Sequence, residues 1–228
     1  MLDGLLKVCY NNNRKIWVDF SGFGHLFATQ LSCDSCVAFL LPASRKCWQN
    51  GGWFFMKNNF LSLIKTRRSV RAYKSEFVPS EALDAVLEAG TYAPTGGGHQ
   101  SPTIIAITDP KYRKEIVKLN AEVMGSNTDP YYGAPVVILV LADGSASTFV
   151  EDGSCVLENM MLAAHALGLG TVWVHREREI FDSESGKALL REWKLPETLR
   201  GVGAIALGYP AQGSRPTAAR KQNYIVRI

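Results

Sequence analysis

The chain has 228 residues, 46% of them hydrophobic, enough for one domain with a full core and an appended segment. Its formal charge of +4, with Lys and Arg spread along the chain, excludes nucleic acid as the default partner and leaves room for a phosphorylated small ligand. No apolar run reaches the roughly 20 residues of a membrane span, and the N-terminus lacks the basic segment and apolar core of an export signal. A reducing cytoplasm is therefore the expected compartment, with no membrane partner.

Residues 1–55 differ in composition from the remainder. They contain no Glu, hold four of the five cysteines (Cys9, Cys33, Cys36 and Cys47) and show neither a helical nor a strand period. Cys33-x-x-Cys36 has a spacing used for metal binding and thiol exchange, yet no second pair matches it, so no metal site is expected. The boundary falls at Met56: residues 1–55 read as an extension, such as translated upstream sequence would give, and 56–228 as the functional domain.

Phe60, Leu61, Leu63 and Ile64 form the apolar side of a short helix that releases Arg67-Arg68-Ser69-Val70-Arg71. Three guanidiniums and a hydroxyl within five residues can grip a phosphate in a planar, bidentate way; a solvated basic turn is the alternative. Pro79-Ser80-Glu81 opens the next helix with Ser80 as cap, and Gly90 closes it. In Ala93-Pro94-Thr95-Gly96-Gly97-Gly98-His99-Gln100-Ser101-Pro102, three glycines between prolines forbid a helix or central strand. They let backbone approach a flat ligand closely, if they do more than form a flexible loop. No Lys-Ser or Lys-Thr follows, so it is not a nucleotide phosphate loop.

Thr103–Ile107 is a β-rich run, Asp109-Pro110 starts a helix, and Val136–Leu141 is an apolar strand covered on both faces. The helix after it, capped by Asp152 or Ser154 and apolar on nearly every side to Leu167, is expected to be the central one, buried in the core and against a second subunit. Gly168 and Gly170 end it, and strand Thr171–Val174 delivers His175 and Arg176 to its carboxyl end. A helix over Ser183–Trp193 and a last core strand, Val202–Leu207, complete the domain. The tail Arg220–Ile228 carries apolar residues that need a neighbour. Interleaved helices and strands without long βαβ units predict an α+β sandwich, one sheet with helices on both faces. Cys155 and the Met160-Met161 pair read as core, and His165 as structural.

The arginine segment, the Ala93–Pro102 loop, Asn159–Trp173 (NMMLAAHALGLGTVW) and Leu207-Gly208-Tyr209-Pro210 with the late Arg220-Lys221 together resemble the FMN-dependent nitroreductase family, over about 170 residues from Met56. The resemblance implies a mixed or antiparallel sheet flanked by helices, and an interlocked homodimer with two FMN molecules at its interface. By position, Arg67, Arg68, Ser69 and Arg71 would hold the flavin phosphate and ribityl chain with Arg220 and Lys221. Pro94, Thr95, Gly96, Gly97, Gly98 and Gln100 would line the ring from the other subunit. Val172, Trp173, Val174, His175 and Arg176 would pass the flavin edge, and Asn120 would face its pyrimidine end. Gly98 stands where many relatives have Asn. The implied activity is NAD(P)H oxidation with hydride transfer through flavin N5, in a ping-pong cycle, to nitroaromatics, quinones or similar flat acceptors. No side chain is nominated as catalytic, though His99 and His175 could donate a proton. A non-catalytic FMN store, or a specialised flavin enzyme of the same fold, is the alternative.

Overall fold

A computed structural model describes residues 6–11, 14–19, 60–213 and 216–228. The chain divides into two compact units, Met1–Gln49 and Asn50–Ile228. In the first, β1 (Leu6–Asn11) pairs antiparallel with β2 (Arg14–Asp19), Leu6 opposite Asp19 and Asn11 opposite Arg14. This hairpin corrects the reading of residues 1–55 as devoid of strand pattern. Val8, Tyr10, Ile16, Trp17 and Val18 supply β propensity that a search for strict alternation passes over. Cys33, Cys36 and Cys47 lie outside the described residues.

The second unit begins with helical residues 60–66 (α1), then α2 (Ser80–Thr91), β3 (Pro102–Ile107), α3 (Pro110–Met124), β4 (Val136–Asp143) and α4 (Phe149–Ala166). It continues through β5 (Gly170–Val174), α5 (Glu177–Asp182), α6 (Glu184–Glu192) and β6 (Leu199–Gly208). The sheet order is β3-β4-β6-β5, antiparallel throughout, so β3 and β5 are its edges. Strand alternation sorts the core into two layers. Val136, Ile138 and Val140 face α2 and α4 with Val86, Leu157 and Met160, whereas Val137, Leu139 and Leu141 face α3, α5 and α6 with Ile116, Phe181 and Leu190. All are nearly or fully buried, each contributing roughly 1.5–3 kcal/mol through burial. The expected α+β sandwich with helices on both faces is the fold.

Four local expectations change. Pro79, not Ser80, is the N-cap of α2, and it offers no side-chain cap. The Gly96–Gly98 stretch, expected to be free of helix, makes a single 3-10 turn, possible because Gly97 adopts φ 59° inside it. Helix α4 starts at Phe149, with Thr148 as N-cap, so Asp152 and Ser154 sit inside the helix and cap nothing. Nor is α4 enclosed on nearly every side. Val156, Leu157, Met160, Met161 and Ala164 are buried, but Cys155, Asn159 and Leu162 are half-covered and Glu158 and Leu167 exposed.

The register of β4 against β6 shifts between Val140/Gly203 and Leu141/Gly201, making Val202 the extra residue of a bulge. Gly201 permits the close approach behind it: a Cβ there would lie 2.1 Å from the backbone carbon of Glu177. No helix among the described residues is long and apolar enough to cross a membrane.

Candidate functional site

The arginine segment is held by its backbone. Ser69 forms a parallel bridge with Thr171 of β5, and the Val70 N–H donates to the Thr171 carbonyl at 2.9 Å. Tyr73 pairs with Pro210, and the Tyr73 hydroxyl donates to the carbonyls of Val70 and Ala206, so residues 69–74 form a rail that leaves the start of β5 and crosses the end of β6. Along this rail Arg68, Ser69 and Arg71 border a hollow of about 80 Å³ with Gln212 and Gly213. The Arg71 guanidinium lies over the Tyr132 ring at 5.9 Å. Arg67 points elsewhere, toward α4. Its Nε is 4.0 Å from the half-exposed Glu158 carboxylate, and its Nη1 is buried without a hydrogen-bond partner among the described residues. A buried guanidinium nitrogen without an acceptor is costly. His165 lies beside it, Nε2 3.0 Å from the Thr66 hydroxyl; burial, then Arg67 and Arg68, lower its pKa, so the ring is neutral and structural.

Because Thr171 turns its carbonyl outward, strand alternation points the peptide groups of Trp173, and the N–H of His175, to the same free edge of β5. The side chains divide differently. Val172 and Val174 are buried in the α3/α5/α6 layer and can offer only backbone, while Trp173 packs toward α4. At the strand end a cavity of about 290 Å³ is lined by Val150, Ser154, Trp173, His175, Arg176, Arg178, Glu179 and the bulged Val202. Arg176 turns the chain into α5 with φ 88°, a left-handed conformation for a non-glycine residue.

That turn is braced from behind. Asn120 was expected at the surface of the site; it is fully buried. Its Nδ2 lies 3.0 Å from the His175 carbonyl and 3.1 Å from Tyr131 Oη and Glu177 Oε1, and its Oδ1 accepts from Arg176 Nε at 2.9 Å. With both ends of the amide engaged, Asn120 fixes the strand end and does not face a ligand. Sequence reasoning missed Glu177 and Tyr131 here. Burial raises the Glu177 pKa to about 8, and burial, then Glu177, hold the Tyr131 phenol protonated well above its ordinary range.

The glycine loop hangs from α4. Asp152, only 4% exposed, accepts from the Gly96 N–H at 2.8 Å, the Ser101 hydroxyl at 2.8 Å and the Thr148 hydroxyl at 3.2 Å. Thr95, Gln100 and Ala93 line an apolar cleft of about 290 Å³ against Ile104 and Val156; Pro94 is not among its walls. The loop does not sit on the arginine rail of its own chain. Arg67 approaches α4 at Glu158, about 9 Å further along the helix axis than Asp152. Arg220 and Lys221 are likewise not brought to the rail: residues 216–228 are exposed, and Lys221 Nζ lies over the Tyr224 ring at 5.0 Å.

The three glycines are not equivalent. A Cβ on Gly96 would meet the Thr148 hydroxyl at 2.3 Å and one on Gly97 the His99 ring at 2.7 Å, but one on Gly98 meets nothing within 4 Å. Gly98 has φ 72°, where Asn is the best tolerated side chain after glycine. Thermal unfolding should therefore find Gly98→Asn within about 1 kcal/mol of the parent, while Gly97→Ala, strained at φ 59° and pressed on His99, loses about 1–3 kcal/mol. Equal costs would show that the loop does not hold this conformation.

Residues 64–209 match the sequence model of the Nitroreductase family. The chain is 32% identical to a Methanothermobacter thermautotrophicus protein named "Putative NADH dehydrogenase/NAD(P)H nitroreductase", over 68% of this chain and 80% of that one. It is 27% identical to the Bacillus subtilis "FMN reductase [NAD(P)H]", covering 69% and 68% of the two chains. A nitroreductase structure with bound FMN from Bacteroides fragilis is 30% identical, with a TM-score of 0.69 over 75% of this chain and 99% of that one.

Proposed function

The chain belongs to the nitroreductase family, and from that premise we propose that residues 56–228 form its functional domain, passing reducing equivalents from NADH or NADPH through FMN to nitroaromatics, quinones or similar flat acceptors. Enzymes of this family are oxidoreductases, and FMN with NAD(P)H is the cofactor pair. FMN supplies hydride acceptance and donation; the protein supplies position and charge.

The observation that carries this reading is the arginine rail. The hollow bordered by Arg68, Ser69 and Arg71 fits a phosphate, which planar guanidiniums and a hydroxyl bind well. From there the outward peptide groups of Trp173 and His175 follow the β5 edge at the right side to meet a ring, with Val172, Val174 and Arg176 fixing their path. Asn120 acts behind the turn, through the His175 carbonyl. Exclusion of bulk water by Trp173 and the cavity wall would strengthen these contacts.

The missing parts of the site come from a second copy. Phe60, Leu61, Ile64 and Leu167 are 43–58% exposed, and Tyr224, Ile225 and Val226 of the tail at least 70%. Large apolar side chains exposed in this number suit an interaction surface. In a homodimer they are covered, the Pro94–Gln100 loop faces the partner's flavin, and Arg220 and Lys221 reach it from the tail. The chemistry suits a cytoplasmic enzyme.

The test is a visible spectrum of the purified full chain, and of a chain starting at Met56, before and after anaerobic NADH or NADPH. Flavin bands near one per subunit that bleach, and return with a nitroaromatic or quinone, are expected of both. Bands that never bleach would favour a flavin store, and a colourless protein that takes up no FMN would sink the assignment.

A further inference from the structure

We propose that Asp152 is a positioning residue for the flavin site: by clamping both ends of the Gly96–Ser101 turn it sets how tightly, and at what reduction potential, the flavin is held. The inference rests on the proposed function, in which this turn lies against FMN.

Asp152 is in the first turns of α4, where a carboxylate normally faces water. Here it turns sideways and is nearly enclosed. One oxygen takes the Gly96 N–H and the other the Ser101 and Thr148 hydroxyls, so residues five apart in the chain converge on one side chain. The segment between them is intrinsically hard to order. Gly97, Gly98 and Gln100 have φ of 59°, 72° and 50°, and consecutive glycines lose more backbone entropy on ordering than any other residue. Of its other hydrogen bonds, Gly98 N–H and Gln100 N–H to Thr95 and His99 N–H to Gly96 are internal and give it shape without location, and the Asp143 N–H, donating to the Ser101 carbonyl at 3.3 Å, ties only its far end to the sheet.

Location comes from Asp152. The Gly96 amide first, and the Ser101 and Thr148 hydroxyls with His99 nearby, hold its carboxyl below the usual carboxylate range, so the clamp is ionised at neutral pH. An asparagine retains the geometry, accepting from Gly96 and donating to the two hydroxyls, whereas an alanine releases all three groups.

The experiment is FMN titration and redox potentiometry of the full-length chain and of its Asp152→Ala, Asp152→Asn and Ser101→Ala variants, with thermal melting alongside. Asp152→Ala should bind FMN about 10-fold or more weakly and shift its midpoint potential. Asp152→Asn should recover affinity to within about 3-fold and return the potential toward the parent, with Ser101→Ala between. A folded Asp152→Ala with parental affinity and potential overturns the inference. Should Asp152→Ala not fold, parental values for Ser101→Ala overturn it. A parent chain that takes up no FMN overturns the flavin reading, and this inference with it.

Discussion

Replacing Arg68 and Arg71 together by alanine should weaken FMN binding by about 10²–10⁴-fold while the domain stays folded. A charge-assisted hydrogen bond contributes about 1.5–3 kcal/mol, and two lost guanidiniums exceed about 3 kcal/mol, where each 1.4 kcal/mol is tenfold. The fold survives because the rail is held by main chain, Ser69 against Thr171 and Tyr73 against Pro210. The Arg68 guanidinium also donates to the Lys65 carbonyl, so some loss at the end of α1 is expected in the melting curve. Arg71→Lys separates charge from shape: it keeps the cation over Tyr132, loses the planar fork, and should cost about tenfold. Fluorescence titration of the apoprotein with FMN reads all three. Affinities within threefold of the parent would return the cluster to a solvated basic turn.

The sheet was legible because its signals are local. Four buried-strand runs, the Asp109-Pro110 cap and the glycines after α4 each speak through neighbours in sequence, and the cap is found with Asp109 accepting from the Lys111 N–H. What was illegible depends on depth. Asn120 faces the pyrimidine end of the flavin only by resemblance, yet its helix faces the α5 side of the sheet, and its partners come from 11, 55, 56 and 57 residues away. Asp152 reads as a cap because a carboxylate before an apolar run usually is one; its partners Gly96 and Ser101 are 56 and 51 residues distant. Helix α5 has six residues, too few to establish a period, and it was passed over altogether. The tail was read as needing a neighbour from composition alone, and its exposure agrees.

Glu177 should make the stability of the domain fall as pH rises. The side chain is fully buried, Oε1 accepts from the Tyr131 hydroxyl at 2.8 Å, and Oε2 has no partner among the described residues. An ionised carboxylate with a bare buried oxygen is costly; a protonated one is much less so, and burial raises the pKa from 4.5 to about 8. The folded chain therefore keeps a proton that the unfolded chain releases near pH 4.5. Between those two values the unfolded state binds fewer protons, so unfolding free energy declines with pH, levelling off above about 8. The full difference is on the order of 4 kcal/mol. Glu177→Gln cannot ionise and should lose this slope, matching the parent near pH 5 and exceeding it by a few kcal/mol near pH 8.5 in urea unfolding. Parallel curves would show that the carboxyl ionises freely. The consequence reaches the site, because Glu177 accepts from Asn120, and Asn120 holds the His175 carbonyl and Arg176. Alkaline pH should therefore loosen the β5–α5 turn in the parent and not in Glu177→Gln, which amide exchange at residues 175–177 would show.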